Sequence, residues 1–510
     1  MGSHPTIRQV MAGNPLISTI KCIAGTRRSF LLSEIVPYLD EPLPVDEMYR
    51  AIAPELPRLG LTATPRGRDV EITKLVPPQP YLLDDGGRTR TGAFLEKREL
   101  PPALATAIEQ YITKKVGKPW DDPVTLDRLR KAITSQKDDY WKPLHKRSLR
   151  YTKGYSVLGY LAYHFPVYFL QTEHLLLRLA GDGFMKKSMT VLDAGTGPGV
   201  VPLAIADFIS RLDGVKASVY SIEQSEEHIE AFLYLRDAFV PRGGPVSVKP
   251  PKKADIREPL PASLPERFDL IIFSNVLGEF AGRDGDARAA IVSRFAERLA
   301  PGGAVVIIEP ADEENSTRMR TLAASLEPAG LFVHSPCPLF RGTACKAPRC
   351  WSFATAPAIR PTRLMETLAR CDEPYRYINT DIKYSFAVLR RAGIRREGAR
   401  GVPLTRFLLL SKLHLHEGKR VNTIIAKMSA ELGDAKNHLF KVCDGTAKAP
   451  VYAVLPAFHR TEGNEALISA GYGSVLELRG VLVRYNRAHD SWNLFVNRNT
   501  EVREAGGHGE

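Results

Sequence analysis

The residues best equipped for chemistry in this chain fall into two groups: a glycine-punctuated turn and a set of dispersed cysteines. The turn is VLDAGTGPGV, residues 191–200, where an apolar run expected to be a strand gives way to an expected helix. Gly195, Gly197 and Gly199 let the backbone turn tightly and approach a ligand, and the free N–H groups at the following helix start favour a carboxylate or similar anion. Asp193, at the strand end, is placed to orient the loop and to meet a ligand's ammonium group. Of the six cysteines, Cys337, Cys345 and Cys350 share one stretch, HSPCPLFRGTACKAPRCWSF, and Cys443 lies far downstream in FKVCDGT. Three thiolates on one loop can surround a soft metal and leave a position for a distant ligand. The spacing is not a Cys-x-x-Cys knuckle, and buried structural thiols are the alternative.

A dinucleotide fingerprint requires Gly-x-Gly-x-x-Gly/Ala, and counting from Gly195 the third place falls on Val200, so NAD fits poorly. The Asp-x-Gly-x-Gly-x-Gly form resembles motif I of class I methyltransferases, which implies S-adenosylmethionine as the ligand. The downstream acids agree with it. Glu223 ends the second expected strand, where a carboxylate can accept both ribose hydroxyls. Asp255 and Ile256 stand where the third strand should end, offering an acceptor to the adenine amine and an apolar side chain to its ring. FDLIIFSNVLGEF is the expected fourth strand, opening Ser274 and Asn275 onto the methyl group. Methyl transfer from a sulfonium is a one-step displacement that needs alignment more than a strong base. Asn275 is followed by Val276, Leu277 and Gly278 rather than Pro-Pro-Tyr/Phe, and strand four holds no Pro-Cys, so no catalytic residue can be named.

These residues need a scaffold that brings strand ends together. From about residue 187, apolar strands alternate with amphipathic helices (MTVLDAG, ASVYSIE, VSVK, FDLIIFSN, AVVIIEP, LFVHSP and finally YSFAVLRR), which predicts an α/β fold with a largely parallel sheet covered on both faces. The expected organisation is a helical or winged-helix-like module over 1–80, a helical basic region over 81–178, a class I (Rossmann-like) core over 179–393 with a cysteine loop at 336–380, and an OB-like β-barrel over 405–505. Five short strands with Gly turns suggest the barrel. The stretch VPPQPYLLDDGGRTRTG, residues 76–92, reads as a linker.

A net charge of +13 and a pI near 9.3 favour a polyanionic partner, because Lys and Arg release counterions when they meet phosphates. The excess concentrates at 128–153, where nine basic residues face only Asp138 and Asp139, with Tyr140, Trp141, His145 and Tyr151 interleaved for stacking on bases. A solvated helix face is the alternative reading of that segment. No apolar run is long enough to span a bilayer, so no membrane partner is expected. Few cysteines in so long a chain favour a reducing compartment. Arg8, Lys21, Arg27 and Arg28 precede the first acid, Glu34, a bias shared with mitochondrial transit peptides; the expectation is a cytoplasmic protein that keeps its N-terminus, with the mitochondrial matrix as alternative.

Over residues 155–455 the chain resembles the methyltransferase-like assembly factors of the small ribosomal subunit. The matching segments are FPVYFLQTEHLLLRL, VLDAGTGPG, SNVLGEF, APGGAVVIIEPA, the CPL…C…RCWSF loop, YSFAVLRR and VCDG. The resemblance implies S-adenosylmethionine, a [4Fe–4S] cluster, binding to small-subunit rRNA and a role in subunit maturation, by a protein monomeric off the ribosome. It assigns Cys337, Cys345 and Cys350 to the loop ligand places and Cys443 to the distal one, with Cys371 a rival fourth ligand and Cys22 unrelated. The usual Cys-Pro-His is here Cys337-Pro338-Leu339, and the His that commonly follows the third cysteine is Trp351, which leaves zinc open as the metal. A non-catalytic rRNA-binding chaperone and a small-molecule methyltransferase are the rival functions.

Overall fold

The computed structural model describes residues 15–27, 29–39, 42–56, 59, 61–74, 81–140, 142, 154–279, 285–337, 350–391 and 407–505. At the N-terminus, α1 (Pro15–Thr26), β1 (Ser29–Leu31), a 3₁₀ turn, α2 (Val45–Ile52) and the hairpin β2 (Leu61–Arg66) and β3 (Asp69–Lys74) form a three-stranded sheet of order β1-β3-β2. Ile20, Ile35, Met48, Ile52 and Ile72 build a core of its own there.

The second half of the stretch read as a linker, residues 85–92, is in fact helical. Asp84 accepts a hydrogen bond from the Gly87 N–H at 2.6 Å and starts α3 (Asp85–Lys97). Three glycines and no apolar stripe hid this helix; an Asp cap and tertiary packing overrode weak propensity. It is followed by α4 (Pro102–Val116), α5 (Pro123–Tyr140), α6 (Tyr155–Tyr163) and α7 (Phe165–Gly181). Their buried side chains, such as Ile108, Ile133, Phe165 and Phe169, merge with Val191, Leu270 and Val306 of the central sheet into one core. The helical region and the sheet therefore fold as one body.

That sheet contains β4 (Ser188–Ala194), β5 (Lys216–Glu223), β6 (Val246–Val248), β7 (Lys252–Lys253), β8 (Phe268–Ser274), β9 (Leu299–Pro310), β10 (Phe332–Ser335), β11 (Ala354–Ala356) and β12 (Ile382–Arg390). Its main path runs β10-β12-β9-β8-β4-β5-β6, parallel from β9 to β6, with β12 antiparallel to both its neighbours β9 and β10. This is the strand order of class I methyltransferases. Helices α8 (Val200–Ser210), α9 (Glu226–Phe239), α10 (Gly285–Ala296) and α11 (Glu313–Ser325) connect the strands. Because both faces are covered, the central strands are apolar throughout, as Val305 to Ile308 illustrate with no exposure at all. From β4 the chain moves outward one way to β5 and β6 and the other way to β8 and β9, so a crevice opens at the carboxyl ends of β4, β5 and β8. The cysteine stretch precedes β12, as expected; residues 338–349, including Cys345, lie outside the described residues.

The C-terminal region closes into a barrel from β13 (Arg420–Lys427), β14 (Asn437–Cys443), β15 (Val451–Pro456), β16 (Val475–Asn486) and β17 (Ser491–Phe495), with β18 (Glu501–Glu504) added along β16. Strand β13 pairs with both β14 and β16, and β15 runs parallel to β17, the OB arrangement. Tyr472, just before β16, is the hinge-pin between barrel and sheet. Its hydroxyl accepts from Arg320 Nη2 at 2.8 Å and shares a hydrogen bond of 2.6 Å with Ser352 Oγ, while its carbonyl accepts from Arg178 Nη1 at 2.6 Å. Among the described residues no helix is long and apolar enough to cross a membrane.

Candidate functional site

The glycine turn sits at the crevice. Gly195, Gly197 and Gly199 all have positive φ, at +76°, +55° and +91°, but their surroundings differ. A side chain on Gly197 would meet nothing nearer than His228 Nδ1 at 3.9 Å, so its open side faces the cavity. One on Gly199 would come within 2.2 Å of the Phe232 ring, which places that glycine against α9 and off the cavity lining. Sequence reasoning grouped Gly199 with the ligand-facing glycines; the structure shows it serving helix packing.

Glu223 holds the turn in place. Its carboxylate accepts from the Gly197 N–H at 2.8 Å, the Ser225 N–H at 2.8 Å and the Gln224 N–H at 3.0 Å. An ionised carboxylate has about four acceptor positions, so one remains for a ligand hydroxyl. Asp193 is 1% exposed; the Thr196 hydroxyl lies beside it and eases its charge, but no well-formed hydrogen bond reaches either carboxylate oxygen among the described residues. Burial raises its carboxyl to about 7, with the nearby Glu223 charge adding to the push. A buried carboxylate with no opposite charge beside it costs free energy that a cationic ligand group would recover.

The cavity measures about 460 Å³ and is lined by Asp193, Gly195, Gly197, Glu223, Asp255, Ile256, Ser274 and Asn275. Every cofactor-binding residue read from the sequence except Gly199 thus borders one space. Asp255 Oδ1 accepts the Arg257 N–H at 2.8 Å, and both its oxygens face the Arg257 guanidinium, which holds the acid below the usual carboxylate range. Asn275 takes a left-handed φ of +54°, one of three non-glycine residues to do so among those described, and its N–H donates to the Ile308 carbonyl at 2.8 Å. That turn aims the strand-four end back toward β9.

Two parts of the lining were not read from the sequence. An aromatic wall stands on α6 and α7, where the His164 and Tyr168 rings lie 5.6 Å apart and nearly parallel and Tyr163 meets His164 edge-on at 4.9 Å. Burial, and then the Lys137 charge, pull the His164 imidazole down to about 4, so it is neutral at physiological pH. Glu309, at the end of β9, is 4% exposed and accepts the Gly278 N–H at 3.1 Å; burial raises its carboxyl to about 7. The signal for Glu309 was its place one residue before the end of the fifth parallel strand. The aromatic wall carried no signal distinct from helix packing.

Residues 164–345 match a family described as a methyltransferase domain. Over those residues the chain therefore carries a methyltransferase-like domain. Residues 13–69 and 411–505 match the N-terminal and C-terminal domains of a domain of unknown function (DUF8157). No curated protein matches. Among solved structures, an S-adenosylmethionine-dependent methyltransferase of Clostridium acetobutylicum is 13% identical with TM-score 0.22, over 28% of this chain and 49% of that one, so this chain spans about half that protein's length. A methyltransferase of Leishmania major is 14% identical with TM-score 0.28, over 56% of this chain and 91% of that one. Magnesium protoporphyrin IX methyltransferase of Synechocystis, with S-adenosylmethionine bound, is 14% identical with TM-score 0.25, over 52% and 96%.

Beyond β10, Cys337 and Cys443 pack against one apolar cluster of Ile424, Ala426, Met428 and Val475. Cys337 and Cys350 both lie close enough to the buried Tyr472 hydroxyl for their charges to act on it. The Cys443 Sγ accepts the Gly445 N–H at 3.2 Å. Cys371 instead packs on the core shared by the helical region and sheet. Among the described residues no three potential metal ligands are gathered into a binding group. Of the basic 128–153 segment, residues 141 and 143–153 lie outside the described residues. Within α5, Arg130 donates to the Leu368 carbonyl and Lys137 to the Arg376 carbonyl, so these two charges support the fold.

Proposed function

We propose that this protein is an S-adenosylmethionine-dependent methyltransferase that acts on small-subunit rRNA during ribosome assembly and holds a four-cysteine iron–sulfur cluster. The observation that carries the cofactor reading is Asp193: a buried carboxylate with no opposite charge beside it and only the Thr196 hydroxyl to ease it, in a cavity bordered by the open side of Gly197. Bound S-adenosylmethionine supplies a methyl group on a sulfonium. Asp193 receives the ligand's ammonium group, Glu223 fixes the turn and keeps one acceptor position for a ribose hydroxyl, and Asp255 and Ile256 bound the adenine side. Neutral His164 and the Tyr168 ring exclude water from one wall. Glu309, with its carboxyl near 7, is the cavity group suited to take up the proton an acceptor nitrogen gives off.

The rRNA reading draws on the net charge of +13 and on the OB-like barrel. The cluster reading draws on the resemblance of the cysteine loop and on the packing of Cys337 and Cys443 against one apolar cluster, Cys345 and Cys350 being the other two proposed ligands. The deciding experiment combines calorimetric titration of S-adenosylmethionine with transfer of labelled methyl to protein-free small-subunit rRNA. Cofactor binding lost in Asp193→Asn, with label entering rRNA, is the expected result. Tight RNA binding without transfer would replace the enzyme with an assembly chaperone, and absence of cofactor binding would overturn the reading altogether.

A further inference from the structure

Trp351 is 45% exposed, yet its indole is held by a hydrogen bond at the rim of the cavity, and its backbone by a second. Its Nε1–H donates to the carbonyl of Ala311, a residue of the cavity lining, at 2.8 Å. Its own carbonyl accepts from Lys441 Nζ at 2.8 Å, and Lys441 stands on β14 of the barrel. Phe353 lies beside it with ring centroids 6.1 Å apart. Exposing a large apolar ring is unfavourable, and a ring held in one orientation has already lost the freedom that binding would otherwise take from it.

The barrel continues this line. On its outer face Lys441 is paired with Tyr452, Tyr452 with Asn493, and Asn493 with Arg484, so these four side chains cross four adjacent strands in one row. At about 4.8 Å per strand gap the row is roughly 14 Å long. The next row along the same strands, Leu439, Val454, Phe495 and Leu482, is apolar, and Arg484 lies over the Phe495 ring at 5.5 Å. Val454 is buried, so the apolar surface of the second row is Leu439, Phe495 and Leu482, each partly exposed; neither row contains an acid. The surface thus pairs phosphate-binding charge with faces on which bases stack, a combination that fits an unpaired nucleic-acid strand and not a duplex.

We infer that Trp351 is a stacking platform that receives an unpaired nucleotide of RNA leaving the Lys441–Tyr452–Asn493–Arg484 row and directs the strand into the cofactor cavity. The inference rests on the RNA reading above and adds the route by which the strand enters. It accounts for a tryptophan at the junction of barrel and cavity that neither the cofactor site nor the cysteines use.

The test uses the full-length protein with a fluorescently labelled single-stranded oligoadenylate and the same oligomer in duplex form. Trp351→Ala should weaken single-strand binding about 5- to 100-fold, the range for loss of one base–aromatic stack. Duplex binding and S-adenosylmethionine affinity should not change. Trp351→Phe should retain most of the single-strand affinity while losing the quenching of indole emission that the oligomer causes in the wild type, a readout that does not depend on the alanine variant folding. Lys441→Gln should lower the salt slope of binding by about one. Wild-type affinity in Trp351→Ala, or equal quenching in the wild type and Trp351→Phe, would overturn the platform and leave the RNA reading standing. A wild-type protein that binds no single strand would overturn both.

Discussion

Replacing Gly197 and Gly199 by alanine, one at a time, should separate ligand binding from folding. At Gly199 the backbone φ is +91° and an added Cβ lies 2.2 Å from the Phe232 ring, where carbon atoms ordinarily rest about 3.5–4.0 Å apart. The left-handed backbone costs a non-glycine residue roughly 1–2 kcal/mol and the overpacking about 1–3 kcal/mol, less about 0.4–1 kcal/mol gained by stiffening the unfolded chain. Gly199→Ala should therefore lose on the order of 2–4 kcal/mol, which lowers the Tm of a domain this size by roughly 5–15 °C. At Gly197 the φ of +55° is milder and the added atom has open space. Gly197→Ala should lose about 1 kcal/mol of stability, since the same backbone cost is mostly offset. The methyl group then occupies the side by which a ligand approaches, so S-adenosylmethionine affinity should fall about tenfold or more, equivalent to at least about 1.4 kcal/mol. Thermal melting and calorimetric titration of both variants measure the two quantities. A Gly197→Ala protein that binds the cofactor normally, or a Gly199→Ala protein as stable as wild type, would refute the division of labour.

Further outcomes follow from the buried groups. Asp193 and Glu309 have folded-state carboxyls raised to about 7, so the ligand-free protein holds protons there that the unfolded chain releases near its ordinary values of 3.8 and 4.5. Their contribution is complete below about pH 4 and lost as the pH rises through about 7; denaturant titrations should show this slope, reduced in Asp193→Asn and counteracted by saturating S-adenosylmethionine. Tyr472→Phe removes the hydroxyl that meets Arg320 and Ser352 and should lower stability by about 1–3 kcal/mol, read as a lower urea midpoint. If the protein carries the cluster, anaerobically purified Cys443→Ala should lose visible charge-transfer absorption while Cys371→Ala keeps it; the reverse pattern would exchange their roles.

Part of the cofactor side was legible because Asp193, Glu223 and Asn275 lie at or next to strand ends, whereas Asp255 and Ile256 lie beyond the short β6 and β7. The period of the apolar runs located β4, β5 and β8, and the types of Asp193, Glu223 and Asn275 then followed from position. Gly199 shows the limit of that reasoning, since its spacing matches Gly197 but only three-dimensional packing reveals Phe232 against it. The aromatic wall was illegible because Tyr160, Tyr163, His164 and Tyr168 look like ordinary helix residues until α6 and α7 are laid over the crevice. Similarly, a count of positive charges could not reveal that Arg130 and Lys137 bind backbone carbonyls. The barrel strands were readable from their alternation and Gly turns, whereas the contact between Lys441 and Trp351 joins residues 90 positions apart.

Helix α7 carries Tyr168 in the cavity wall and, ten residues on, Arg178, whose guanidinium grips the Tyr472 carbonyl and stacks on Phe386. At about 1.5 Å per residue those two points are about 15 Å apart on a rigid rod. One rod thereby joins the barrel contact to the cavity wall, so a shift of the barrel would be passed to the cavity. Swapping the C-terminal barrel for another would consequently disturb the chamber as well as remove a binding module.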